Sequence, residues 1–205
     1  PKGEIVFGFA LAAAASMGLG AAVALSRLAY EGGTNGLTVA SVRAVGVVLF
    51  MWGVIALTGR SIRLPPGTLP HVVGLGCLVA HMFYGNIAAV QFISVGMTAL
   101  LFFIYPPLVA VLLVVFFRAR FSWLKFIAAL TAFAGLGLAL GVSFAGLRWE
   151  GVALAMSSGV AAAVNAVWIG RRMQGVDPLV LTFHMGWVAS IVLWRGLALA
   201  GGPIW

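Results

Sequence analysis

The chain alternates between long apolar runs and brief polar interruptions. The runs fall at residues 5–30, 36–57, 69–93, 97–117, 123–142, 151–170 and 178–200. Each is close to or longer than the roughly 20 residues a helix needs to cross a bilayer. Between them stand turn-forming clusters, GGTNG from Gly32, PPG from Pro65 and GVDP from Gly175, where glycine and proline interrupt helices. No loop is long enough to hold a domain. The pattern predicts an all-α polytopic membrane bundle with about seven spans. The first run is too long, and too similar to its successors, for a cleaved signal peptide.

Composition agrees, since 63% of the residues are hydrophobic and 8% charged, which excludes a water-soluble surface. The net charge of +8 raises the question of nucleic acid, because basic patches neutralise phosphates. Placement along the chain answers it. With a cytoplasmic amino terminus, the inward segments carry Lys2, Arg60, Arg63, Arg118, Arg120, Lys125, Arg171 and Arg172, while the outward loops carry Arg148 alone. Arg27, Arg43 and Arg195 fall within spans. That bias is the positive-inside rule, with the basic loops facing anionic lipid headgroups, and no nucleic-acid partner is expected. Cys77 is the sole cysteine, so an intramolecular disulfide and the cysteine metal motifs are excluded. Neither a metal nor a cofactor is expected.

A weak internal repeat adds a topological argument. GFALA at 8–12 pairs with GVALA at 151–155, Gly32 with Gly175, and, after a two-residue slip, ASVR ending at Arg43 with LTFH ending at His184. Five spans separate the copies, so the second runs in the opposite sense. Inverted repeats are characteristic of secondary transporters, with the substrate site near the midplane between halves. Residues 1–145 are read as a first five-span repeat and 146–205 as two spans of a second, so three spans of a full second half would be missing from this chain.

The segment TALLFFIYPPLVAVLLVVFFRARFSWLKFIAALTAFAGLGLAL, residues 98–140, resembles the drug/metabolite transporter superfamily in its EamA-type ten-span form. The resemblance rests on the small-residue start, the prolines Pro106 and Pro107 inside the span, the basic turn at Arg120 and the AGLGLAL ending. Arg43 resembles the arginine that closes the second-span motif. His81 and Tyr84 look most similar to those of YddG-type exporters of aromatic and neutral amino acids. Ala119 departs from the acidic residue often found after the fourth span. The resemblance implies inverted five-span repeats and a small-molecule substrate in a bacterial inner membrane, and leaves oligomeric state open.

Polar residues inside the runs are the candidates for chemistry. Along a helix Tyr84 lies about 60° and Gln91 about 80° from His81, whereas Asn86 lies about 140° away. A shared polar face must turn toward the bundle or a water-filled cavity. Whether it lines a cavity or joins helices is left open by the sequence. Tyr105, Pro106 and Pro107 stand mid-span, where two missing N–H donors predict a kink with freed carbonyls. Ser157, Ser158, Asn165 and Trp168 follow among small residues. The resulting expectation is a substrate pocket walled by Tyr84, Tyr105 and Trp168 and anchored by His81, Gln91 and Asn165. Arg43 is expected to pair with Glu31, against competition from Arg27, in a structural or gating role. His184 is expected either as a satisfied core histidine or as a proton-linked group.

Rival functions are narrowed by single residues. A retinal Schiff base needs a lysine deep in the last helix, and the only lysines are Lys2 and Lys125. An intramembrane serine protease would draw on Ser157, Ser158 and His184, but no G-x-S-x-G elbow surrounds either serine. A channel stays as the alternative to a carrier. The reading is a non-enzymatic inner-membrane transporter that exports small metabolites, neutral and aromatic amino acids first, by alternating access.

Overall fold

The computed structural model describes Leu25, Leu28, Ala29, and residues 31–119, 122–141 and 147–202, with the Lys125 side chain set aside. The expected first span therefore lies almost wholly outside the described residues. Among these, the regular elements are helices: α1 (Gly36–Thr58), α2 (Leu69–Ala89), α3 (Val95–Phe102), α4 (Tyr105–Phe117), α5 (Trp123–Ala139), α6 (Trp149–Arg172) and α7 (Pro178–Leu199). Five stretches are long and apolar enough to cross a membrane, counting α3 and α4 together, and the apolar stretch Phe126–Ala139 within α5 is shorter.

Local chemistry sets the helix ends. Asn35 starts α1 from an extended conformation, its side chain accepting from the Thr38 N–H at 2.8 Å, as a helix N-cap does. Gly59, at φ 64°, ends it, with Gly59 and Arg60 N–H groups donating to the Ala56 and Ile55 carbonyls, a Schellman closure. Asp177 caps α7 through Leu179 N–H at 2.8 Å, followed by Pro178 in the first turn.

Two sequence expectations change here. The third span was expected to run to residue 93, but α2 stops at Ala89, and residues 90–93 form turns before Ser94 caps α3 by accepting from Met97 N–H. The fourth span was expected to be one kinked helix. It is two helices, interrupted at Phe103 and Ile104, with Pro106 and Pro107 in the first turn of α4. The reason is steric. A proline ring clashes with the carbonyl four residues back, whereas in a first turn its absent N–H is not missed.

α2 sits at the centre, packed on α1, α6 and α7, while α1 also packs on α7. Small residues allow this closeness, as expected where lipid supplies no hydrophobic drive between helices. A Cβ on Gly76 would fall 2.4 Å from Val188 Cβ, so only glycine lets α2 and α7 approach this far. α3 and α4 lie against the other flank of α6, and α5 is peripheral, without a buried residue among those described. Contacts sort the loops to two ends. At one, Arg60 donates to Asp177 and Arg171 lies over Phe117, 4.7 Å from the ring centroid. At the other, Arg148 lies 4.8 Å over Phe92 and bonds Glu150 at 3.0 Å. Arg60, Arg63, Arg118, Arg171 and Arg172 thus gather at the first end, termed the basic end below.

Candidate functional site

Polar side chains meet along the antiparallel seam between α2 and α6. Starting at the basic end, Trp168 Nε1 donates to His71 Nδ1 at 3.2 Å, and the rings meet edge to face with centroids 6.0 Å apart. Next, Asn165 Nδ2 donates to the Leu75 carbonyl at 3.3 Å. Further along, His81 Nε2 stands 3.1 Å from Ser157 Oγ. Beyond that, a Cβ on Gly85 would lie 3.0 Å from the Leu154 carbonyl. Each polar group at depth needs such a partner, because hydrocarbon offers none.

Depth separates these contacts into groups. Ser157 and Gly159 are about 3 Å apart along α6, close to its middle. A Cβ on Gly159 would fall 2.9 Å from the Phe102 carbonyl and 3.2 Å from Ile104 Cγ2, so the α3/α4 break abuts α6 at the depth of His81. Pro106 cannot donate to the Phe102 carbonyl. Just beyond the break, Tyr105 packs with Phe102 and Phe103 at centroid distances of 5.6 and 6.0 Å. The structure therefore brings His81, Ser157 and the Tyr105 cluster to one level, with Tyr84, 37% exposed, one turn further along α2. Trp168 stands about 16 Å from Ser157 along α6, and Asn165 lies between. Gln91 is in the turn after α2 and exposed, so the helical angle expected for it does not apply. The six residues are not gathered into one pocket.

The family profile of EamA-like transporters matches residues 6–141. The chain belongs to the EamA-like transporter family. A curated relative, an uncharacterized transporter from Archaeoglobus fulgidus, is 31% identical over 162 residues, which are 77% of this chain and 56% of the relative. The chain thus spans about half the length of that relative. No solved structure matches the chain.

Within this EamA-like chain, the serine–histidine contact has the length expected of an activated nucleophile but not the polarity. Ser157 Oγ donates to the Leu154 carbonyl at 3.0 Å. Its hydroxyl hydrogen is committed, so His81 Nε2–H donates and Ser157 accepts. His184 lies elsewhere, its Nε2 donating to the Ile62 carbonyl at 2.7 Å. It behaves as a satisfied histidine fastening the α1–α2 loop to α7.

The remaining expectation concerned Arg43 and Glu31. Arg43 lies over the Phe83 ring, 5.0 Å from its centroid, a cation–π contact between α1 and α2. Loop electrostatics at the basic end centre on Asp177. One carboxylate oxygen accepts from Leu179 N–H and the other from Arg60, and these bonds, the backbone one foremost, hold its carboxyl below the usual carboxylate range. Sequence reasoning missed His71 and Phe83 as functional partners. His71 lay just inside the start of the expected third span, so a histidine there was the available signal; Phe83 looked like any lipid-facing aromatic. The Leu75 carbonyl had no signal, since backbone partners are invisible in side-chain patterns. Among the described residues no group of three or more His, Cys, Asp or Glu side chains comes together to hold a metal.

Proposed function

We propose that this EamA-like chain belongs to a carrier that exports small metabolites, neutral and aromatic amino acids first, by alternating access. The observation that carries the reading is the mid-depth meeting of His81 and Ser157, 3.1 Å apart, with the α3/α4 break and Tyr105 on the other flank of α6. Broken helices near the midplane are where secondary transporters place substrate. An imidazole, a hydroxyl and aromatic walls at Tyr84 and Tyr105 suit a zwitterion with an apolar side chain. Asn165 and Trp168 then form the seam toward the basic end, and Gln91 the opposite rim.

Other observations support the accompanying topology. The family match ends at residue 141, near the expected boundary at 145 between a first five-span repeat and the start of an inverted second. The clustering of arginines at one end supports a cytoplasmic face there, hence a cytoplasmic amino terminus in a bacterial inner membrane.

The test is counterflow of labelled phenylalanine and threonine into proteoliposomes, comparing wild type, His81→Ala and empty vesicles. Saturable exchange that falls about tenfold in the variant, the equivalent of ~1.4 kcal/mol, is expected. Exchange unaffected by the variant makes His81 a helix fastener and overturns the site. Flux that never saturates makes the protein a channel, and no exchange of either amino acid overturns the substrate class.

A further inference from the structure

We infer that His71 is a proton-binding site whose occupancy decides whether α2 and α6 are fastened to each other near the basic end. The argument begins with Trp168. An indole N–H is a donor and never an acceptor, so the 3.2 Å contact from Trp168 Nε1 to His71 Nδ1 requires a lone pair on Nδ1. The imidazole is therefore neutral, with its hydrogen on Nε2. An imidazolium carries hydrogen on both nitrogens. Protonation of His71 turns the contact into two opposed N–H groups, and the bond is lost.

The other two histidines of the chain do not behave this way. His81 donates through Nε2 to Ser157, whose own hydrogen goes to the Leu154 carbonyl. His184 donates through Nε2 to the Ile62 carbonyl. Both bonds survive a second hydrogen on Nδ1. His71 alone among the three loses its partner on protonation.

What Trp168 holds gives the event its reach. Its ring covers Gly74 so closely that a Cβ there would lie 2.8 Å from Cη2. It also packs on the apolar cluster of Val72, Leu75, Met173, Leu181 and Met185, which joins α2, α7 and the turn after α6. Releasing the indole therefore loosens three elements at once. The charged and titratable groups on those elements have their own places. On α6, Arg171 lies over Phe117 and Arg172 follows Trp168 by one turn. On α7 there is His184, bonded to Ile62, and beyond it Arg195. In the loop before α2 are Arg60, paired to Asp177 of the α6–α7 turn, and Arg63. On α1, Arg43 lies over Phe83. Cys77, His81 and Tyr84 complete α2 itself. The hydrogen bond and the ring contact of His71 are both with Trp168.

The inference does not depend on the substrate, and its test reads no flux. The chain is labelled with 5-fluorotryptophan in lipid nanodiscs, and the 19F resonance of Trp168, assigned by Trp168→Phe, is followed as pH is varied. In wild type the resonance moves through one protonation step. In His71→Gln, which keeps an acceptor but no titration, it is flat, whereas His81→Gln and His184→Gln leave the movement intact. A flat wild-type resonance, or movement retained in His71→Gln, overturns the inference. Should His71→Gln not fold, the ring 15N shifts of wild-type His71 decide. Conversion from the Nε2–H form to imidazolium in the same step as Trp168 supports the site, and a separate step or none overturns it.

Discussion

Replacing Gly159 by alanine tests the mid-depth arrangement directly. The added Cβ would stand 2.9 Å from the Phe102 carbonyl, 3.2 Å from the Leu101 carbonyl and 3.2 Å from Ile104 Cγ2. Two of these neighbours are backbone atoms at a helix break, which cannot swing aside as a flexible side chain would. Overpacking of this kind costs about 1–3 kcal/mol, against a gain of about 0.5–1 kcal/mol for alanine over glycine inside a helix. The net expectation is a loss of up to ~2.5 kcal/mol, a factor of up to about 70 in the folded ratio. Gly170, on the same helix, is the control, since a Cβ there meets nothing within 4 Å and Gly170→Ala gains only the propensity term. The assay is unfolding in mixed micelles of rising SDS content, followed by circular dichroism. Gly159→Ala is expected to unfold at lower SDS than wild type, and Gly170→Ala at equal or higher SDS. Equal stability of the two variants refutes the close approach of the α3/α4 break to α6, and with it the shared level of Tyr105 and His81.

Two further expectations follow from the charged residues. The Arg43 to Phe83 contact should give a coupling of about 0.5–2 kcal/mol in a double-mutant cycle of Arg43→Gln with Phe83→Leu, read by the same SDS unfolding; a coupling of zero removes the contact. Asp177, whose carboxyl is held low by Leu179 N–H and Arg60, stabilises the fold fully above the ordinary carboxylate value near 4. That stability is lost as pH falls through its lower folded value. Asp177→Asn keeps the capping oxygen but not the charge, so it should flatten this acid limb of melting temperature against pH; an identical limb in the variant refutes the assignment.

Span positions were legible because bilayer thickness imposes a length that sequence displays directly. α1, α6 and α7 lie within a few residues of the expected runs. The break before Tyr105 was legible only in part. The prolines signalled disruption, but whether a proline bends a helix or begins a new one depends on whether the chain can turn before it. Here Phe103 and Ile104 make that turn against Gly159. The site was less legible still. His81, Tyr84 and Gln91 share a face only if the helix continues, and α2 ends at Ala89. Asn165 and Trp168 were visible as polar residues at depth. Their partners, the Leu75 carbonyl and His71, lie at separations of 90 and 97 residues, and tertiary packing alone chooses them.

Among the described residues, the absence of acidic side chains at depth gains meaning from these partners. Glu31, Glu150 and Asp177, the acidic side chains described, each fall at a helix end. Arg43 rests on a quadrupole, the face of Phe83. The described mid-depth groups beside α6, His81, Ser157 and Tyr105, are all uncharged when His81 is neutral. Among the described charges, Arg43 lies over Phe83, within one turn of His81 along α2, so a carboxylate has a cation near that level, whereas an unpaired charge in a low-dielectric site is costly. A zwitterion carries its own compensation and asks only for hydrogen bonds, which an imidazole, a hydroxyl and freed carbonyls can share. The same logic separates the two histidines of α2. His81 keeps its bond to Ser157 in either protonation state, which fits the anchoring role proposed for it. His71 keeps its bond to Trp168 only when neutral, which suits it to report pH rather than to hold a ligand.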